Sequence, residues 1–456
     1  MNEEFQLTSG SVSHQLTNVN IWTCDGQWVL YDVRPTGSSF TGRRVERVNI
    51  HTRQTEVVYE ARENACVGVI TGSPVLPQRY VFIHGPEHPD DDWHYDFHHR
   101  RGVIVADDKR DQAVTLDALS ITPPYVAGAL RGGTHVHVFS PDGTRLSFTY
   151  NDHVLHERDP SLDLRNVGVG VPLRPVIVSK HHPREYDGSH YCVLVSRTTP
   201  RPRPGSDEIN RAYEEGWIGE RGYLRPEGCR QRWALAFIGD TVSTTGERVP
   251  EVFIVDLPEA LEAYAQPGSE PLAGTADTLP SPPAGVTQRR LTFSGDRRYP
   301  GVVNQPRHWL RSSPDGSQIA FLMRDDDGIV QLWTVSPNGG APHQVTYGPD
   351  SIQSAFTWHP SGQYLTFVCD NSIMVCGLST GRLFRQTPRS AEPPSGDAVV
   401  FSPSGEEIAY LREVDGVNQI FKVRVQLEDA GSTERAAPKA AADLSVAAEL
   451  ATQRRV

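Results

Sequence analysis

Five short stretches of this chain repeat one another: TCDGQWVLYDV from Thr23, FSPDGTRLSFTY from Phe139, SSPDGSQIAFLM from Ser312, HPSGQYLTFVC from His359 and FSPSGEEIAYL from Phe401. Each ends one strand, turns through Asp or Ser followed by Gly, and starts a second strand of alternating apolar residues. That order is an antiparallel hairpin whose glycine takes the positive φ of the turn. Gly316, Gly362 and Gly405 recur about every 45 residues, the length of one four-stranded blade. The pattern predicts an all-β chain folded as a seven-bladed β-propeller of four-stranded antiparallel blades. The irregular middle leaves six or eight blades as alternatives.

Blades stack around an axis, so 456 residues need not divide into the several domains that such a length ordinarily implies. A hydrophobic content of 38 % with 39 Gly and 35 Pro suits many short strands joined by turns. The net charge of −12 is spread along the chain. It argues against a nucleic-acid binder, which needs a basic face to neutralise phosphates, but leaves room for a local basic pocket. No run approaches the ~18 apolar residues of a membrane span, so no membrane partner is expected. MNEEFQLTSG lacks both the basic segment and the apolar core of a secretory leader, so the expected location is cytoplasmic. The six cysteines form no CxxC, and most sit in apolar strand patterns, as small buried hydrophobes do.

Anchored on the turns, blade one runs through NVNIWT, WVLYDV, RVERVNI and TEVVYEA, and blade two through ACVGVITG, RYVFIHG, GVIVAD and AVTLDAL. Blade three holds THVHVFS and RLSFTYN, then strands near VGVGV and PVIVS. Blade four is expected to open at SHYCVLVS and resume at RWALAFIG, EVFIVDL and RRLTFSG. Pro- and Gly-rich insertions at about 199–228 and 265–287 are expected outside the channel-lining layer. Blades five and six are compact, and blade seven offers only AVVFS, EIAYLRE and NQIFKVRV. FQLTSG from Phe5 is like the outer strands RRLTFSG and HQVTYG. Residues 4–9 are therefore expected to supply the missing strand, closing the ring and covering an exposed edge. One propeller domain spans 1–427, and the Ala-rich residues 428–456 read as a mobile tail.

The Leu-Thr outer strand followed by an SPDG turn resembles the TolB-like propeller repeat, the WD40-like PD40 repeat, over most of the chain. The order of segments is similar to that of the uncharacterised bacterial YidR-like proteins. These resemblances imply the fold, and TolB-like domains imply binding of a peptide or protein across one face.

In a propeller the innermost strand of each blade lines the central channel. Aligned on the turns, Asn18, His135, His308, Ser354 and Asp397 open inner strands, and His190 opens the strand expected to start blade four. His135 and His137 lie two apart on a strand, which puts them on one side about 7 Å apart. Such a pair can ligate a divalent ion with histidines from neighbouring blades. The expected metal set is His135, His137, His190 and His308, for Mn, Zn or Ca. Loops on the same face add His84, His88, His94, His98 and His99 in GPEHPDDDWHYDFHHRR, and His153 and His156 in NDHVLHERD. Asn18, Trp93 and Asp397 are expected to meet substrate. Arg307 is a candidate carboxylate clamp through its bidentate fork, and His153 a candidate base. A single histidine is more often structural than a ligand, so it is the clustering that marks a funnel. The run of Asp90, Asp91 and Asp92 reads as a solvated loop.

His135, Val136 and His137 ahead of SPDG also resemble the His-x-His pair of oligogalacturonate lyases, seven-bladed propellers built around a divalent metal. Gly132 stands where those enzymes carry a Gln. The resemblance implies a metal or Arg that neutralises a uronate carboxylate, and a His that removes the α-proton as the glycosidic oxygen leaves. No Walker loop, GxGxxG or GxSxG occurs. Two functions follow. One is a metal-dependent lyase or hydrolase acting on an oligosaccharide or uronate-like small molecule. The other is a non-catalytic TolB-like propeller binding a peptide or protein partner.

Overall fold

The computed structural model describes residues 3–427; the segment read as a mobile tail lies outside the described residues. The strands form seven four-stranded antiparallel blades, the architecture expected from the repeats. Each turn is fixed by its own side chains. In residues 313–316, Asp315 Oδ1 accepts from Ser313 Oγ at 2.6 Å and from Ser317 N at 3.0 Å, an Asx turn. Gly316 there has φ 76°, and a Cβ on it would lie 2.2 Å from the Gly222 carbonyl oxygen. Glycine is thus required for both conformation and space.

Apolar side chains fill the wedges between neighbouring blades. Leu30 and Val45 of blade one pack with Tyr80 and Phe82 of blade two, while Leu322 and Leu332 of blade five pack with Phe356 and Phe367 of blade six. Each such side chain contributes about 1.5–3 kcal/mol on burial, and the core is a ring of wedges with a channel through the middle. The ring closes as expected. Glu4–Gln6 pairs antiparallel with Val417–Arg424, with Glu4 opposite Val423. Leu7 is buried beside it, and the Glu4 carboxylate accepts from the Tyr410 hydroxyl and from Arg412 Nε.

Blade four differs from expectation. Tyr191–Leu194 is the outer strand of blade three, paired with Asn166–Val171. The inner strand of blade four is Ala212–Trp217, paired with Trp233–Val242. The first insertion therefore contains a channel-lining strand, followed by a small hairpin of Tyr223–Leu224 and Arg230–Gln231. PVIVS forms only an isolated bridge from Val176 to Gly188. The second insertion holds no blade strand and is tied down by buried Arg131, which donates to the carbonyls of Thr275 and Thr278. All six cysteines are unpaired. Among the described residues no helix is long and apolar enough to cross a membrane.

Candidate functional site

Three adjacent inner strands share a feature that sets the site. Val67–Gly72, Gly132–Phe139 and Ala212–Trp217 each lose register with the second strand of their blade, at Gly68/Thr71, His135/Val138 and Tyr213/Gly216. At each break a non-glycine residue takes a positive φ: Val69 at 59°, Val136 at 52° and Glu214 at 54°. A bulge of this kind re-aims the side chains that follow it. His135 and His137 consequently face different ways, although a regular strand would align them. His135 lines the channel mouth. His137 is fully buried against Gly102 of blade two, and its Nε2 donates to Thr134 Oγ1 at 2.8 Å. Burial, with the charge of Arg100, lowers the His137 pKa to about 3.

The other two expected metal ligands are also held away. His308 is used up within blade five, where Nδ1 donates to the Pro306 carbonyl at 3.0 Å and Nε2 accepts from Leu322 N at 3.2 Å. Burial lowers its pKa to about 4. His190 precedes the outer strand of blade three, and its Nδ1 lies 2.9 Å from Ser189 Oγ. Among the described residues these imidazoles form no group of three or more that could hold one ion.

What does converge is a cavity of about 220 Å³ at the channel mouth. Asn18, His135, Arg307 and Asp397 all line it, together with Gln15, Thr17, Arg34, Phe40, Phe97, Arg100 and Trp309. Three guanidinium groups reach it, each laid on an aromatic ring. Arg34 lies 4.5 Å from the Phe40 centroid, Arg100 4.7 Å from Phe97 and Arg307 4.5 Å from Trp309. Arg34 is held by Asp32 at 2.8 Å, and Arg307 by Glu214 at 2.9 Å. Arg100 is buried, and its Nε and Nη2 have no partner. Gln15 Nε2 and Oε1, Thr17 Oγ1, Asn18 Oδ1, Arg34 Nε and His135 Nδ1 are likewise unpartnered. Buried polar groups are ordinarily satisfied, so this concentration around one cavity marks a place built for a polar occupant. Burial, then the charges of Arg100, Arg165 and Arg307, pushes the His135 pKa well below that of an ordinary imidazole. Glu215, from the bulged strand of blade four, is buried with both carboxylate oxygens unpartnered. Burial, aided by Glu214, raises its pKa to about 7.

The His-rich loops form a second cluster. His98, His156 and Asp163 bring their ligand atoms within 4.8 Å of one another. His98 Nε2 donates to Asp163 Oδ2 at 2.6 Å. Burial opposes charge on His98, but the hydrogen bond to Asp163 and the charge of the nearby Asp96 carboxylate outweigh it and raise the pKa to about 9. Alongside, Trp93 stacks on His99 at 3.7 Å, and His153 Nδ1 lies 3.1 Å from His99 Nε2. Burial, then His99, lowers the His153 pKa to about 4. Trp93 and His153, expected at substrate, are thus packed into this cluster and do not line the channel cavity. The Asp90 carboxylate is structural, accepting from Trp93 N at 2.6 Å and pairing with Arg184. Sequence reasoning missed Arg34, Arg100, Gln15 and Glu215. Arg100 stands at the end of the histidine run, but only the folded loop turns it inward.

Fold and site together define a seven-bladed propeller whose channel mouth is polar and rich in arginine. Residues 66–186 match a family described as "Protein of unknown function (DUF3748)". The chain is 60 % identical over 406 residues to the "Uncharacterized protein YidR" of Escherichia coli K12, covering 89 % of this chain and 94 % of that protein. It belongs to the YidR family. Among solved structures it is similar to an oligogalacturonate lyase in complex with manganese, with a TM-score of 0.54 at 11 % identity over 92 % of this chain and 93 % of that one. An oligogalacturonate lyase from Vibrio parahaemolyticus gives a TM-score of 0.51 at 10 % identity, again over 92 % of this chain and 93 % of that one. At that identity the likeness concerns the propeller fold.

Proposed function

We propose that the channel mouth is the active site of a lyase acting on a carboxylated sugar, a uronate-like small molecule or oligosaccharide end. The observation that carries this reading is the convergence of Arg34, Arg100, Arg307 and neutral His135 on one cavity full of unpartnered polar atoms. The free Nε and Nη2 of Arg100 suit a carboxylate, Arg34 and Arg307 stand beside it with their forks held by Asp32 and Glu214, and the Phe40, Phe97 and Trp309 walls suit the apolar face of a sugar ring. Neutralising the carboxylate acidifies the hydrogen on the carbon that bears it. His135, unprotonated at neutral pH and lining the cavity, would take that proton. The electron pair left behind forms the carbon–carbon double bond, the glycosidic carbon–oxygen bond breaks, and the leaving oxygen takes a proton from solvent. Unpaired cysteines throughout suit a reducing compartment, and we assign the protein to the cytoplasm.

The test is calorimetric titration with galacturonate, digalacturonate and neutral galactose, alongside ultraviolet detection of an unsaturated product. The acids should bind and galactose should not, and Arg100→Met should weaken binding about 10- to 100-fold, as expected for a charge-assisted hydrogen bond. His135→Ala should bind but not turn over. Equal affinity for galactose would overturn the carboxylate reading. Binding without turnover by the wild type would leave a non-catalytic binding propeller instead.

A further inference from the structure

We propose that His98, His156 and Asp163 bind one divalent transition-metal ion between the loops of blades two and three, apart from the channel mouth. Two imidazoles and one carboxylate are a recognised donor set that leaves coordination positions open. Here the set comes from two blades: His98 from the loop between Arg79–His84 and Arg101–Ala106, His156 from the short helix His153–Arg158, and Asp163 just beyond it. The ion would replace the proton that now bridges His98 Nε2 and Asp163 Oδ2 at 2.6 Å.

The surroundings are arranged as they are around metal ligands. A ligating histidine ordinarily directs its second nitrogen to a carboxylate; His98 Nδ1 is buried and has no hydrogen-bond partner, and the acceptor beside it is the Asp96 carboxylate, 3.5 Å away. Asp96 is itself fixed by His98 N at 2.6 Å and His99 N at 3.0 Å. Asp163 is anchored in turn, its Oδ1 accepting from Asp152 N at 2.7 Å and its Oδ2 from Asn151 Nδ2 at 3.0 Å. The side chains of His98 and Asp163 are each 8 % exposed, so they are already desolvated and oriented. The rings of His98 and His156 stack at 3.9 Å and 26°, and coordination in both ring planes requires one to turn. His156, 36 % exposed on its short helix, has room to do so. Asp163 also lines a cleft of about 400 Å³ with Arg165, Arg211 and Arg248. The open coordination positions would face that cleft, and the class of ligand that joins a metal to arginines is an oxyanion, a carboxylate or phosphate.

The proposal does not depend on the channel-mouth reading and is tested separately. Tag-free protein stripped with a chelator is titrated with Zn(II) by calorimetry and with Co(II) by visible absorption. One ion per chain is expected, with the d–d bands of a nitrogen- and oxygen-ligated site. His156→Ala should weaken Zn(II) binding at least ~10-fold, and so should Asp163→Asn, which retains the oxygen that anchors the loop. His88→Ala, 74 % exposed and outside the cluster, should leave Zn(II) binding unchanged. No saturable binding, binding indifferent to both cluster variants, or an equal loss in His88→Ala would overturn the site.

Discussion

Blades five to seven and blades two to four are the same unit put to different uses. In the first group the inner strands are short, Arg311–Ser312, Thr357–Trp358 and Val399–Phe401, and the turns repeat almost without change. In the second group they are long, Val67–Gly72, Gly132–Phe139 and Ala212–Trp217, and each is broken by a residue at positive φ. The regular blades contribute Arg307, Trp309 and Asp397 to the cavity wall from segments just before their inner strands. The bulged blades contribute His135 and the loop carrying Phe97 and Arg100, and beside the cavity they hold the histidine cluster. Repetition builds the ring, and departure from repetition builds the sites. Each bulge frees backbone groups that must be satisfied elsewhere. Val69 N and Ile70 N, for example, both donate to buried Asp32 of blade one, at 2.6 and 3.0 Å.

The largest effect is expected at the closure of the ring. If the regular arc holds the ring together, deleting residues 1–10 should lower stability by several kcal/mol, on the order of 5, and leave an open strand edge prone to association. The loss includes three ladder pairs, the buried Leu7 and the Glu4 contacts to Tyr410 and Arg412. Urea denaturation and light scattering measure both effects. An unchanged midpoint would mean that the ring holds without its N-terminal strand.

The regular arc was also the part that could be read from the residues. Three of the five turns of the form SPDG or its variants lie in it and set the blade length, and the likeness of FQLTSG to RRLTFSG and HQVTYG points to the closure. The bulged arc resisted for a physical reason. A bulge usually shows itself by a glycine or asparagine at positive φ, but Val69, Val136 and Glu214 carry none of that signal. Without knowledge of the bulge, AYEEGW looks like a loop because its alternation is broken at the adjacent glutamates, and blade four was set one strand too early. His135 and His137 were placed on one face for the same reason. The concentration of loop histidines is visible in the sequence. Which of them would meet, His98 with His156 and His99 with His153, depends on loop paths that no local pattern encodes.

Acid is a gentler probe of the two arcs. His308 of the regular arc and His137 of the bulged arc are both held neutral by burial, with pKa values of about 4 and about 3. An unfolded imidazole titrates near ~6.5, so below that pH the unfolded chain takes up protons that the folded chain refuses. Stability should therefore fall as pH drops from about 6.5 toward the folded values. Each residue should account for about 2 kcal/mol at pH 5. His308→Gln and His137→Gln should each remove its own share of the difference between urea midpoints at pH 7 and pH 5. Undiminished acid sensitivity in both variants would assign it to other groups.

The smallest effect tests whether the repeat is one unit in both arcs. Asp142 in blade three and Asp315 in blade five hold their turns in the same way. Asp142 Oδ1 accepts from Ser140 Oγ at 2.8 Å, Thr144 N at 3.0 Å and Thr144 Oγ1 at 2.7 Å. Asp315 Oδ1 accepts from Ser313 Oγ at 2.6 Å, Ser317 N at 3.0 Å and Ser317 Oγ at 2.8 Å. Ser and Thr hydroxyls freed by the loss of either Asp can turn to water, so the cost is mainly that of the turn hydrogen bonds to a charged acceptor. Asp142→Ala and Asp315→Ala should each lower stability by about 1 kcal/mol. Both should leave galacturonate and Zn(II) binding as in the wild type, because the turns lie outside both sites. Matching losses would show that the bulges alter the inner strands while sparing the hairpins that carry them. A much larger loss at Asp142 would mean that the hairpin of the bulged arc is part of the site's support, so that ring and site are not separate parts of the molecule.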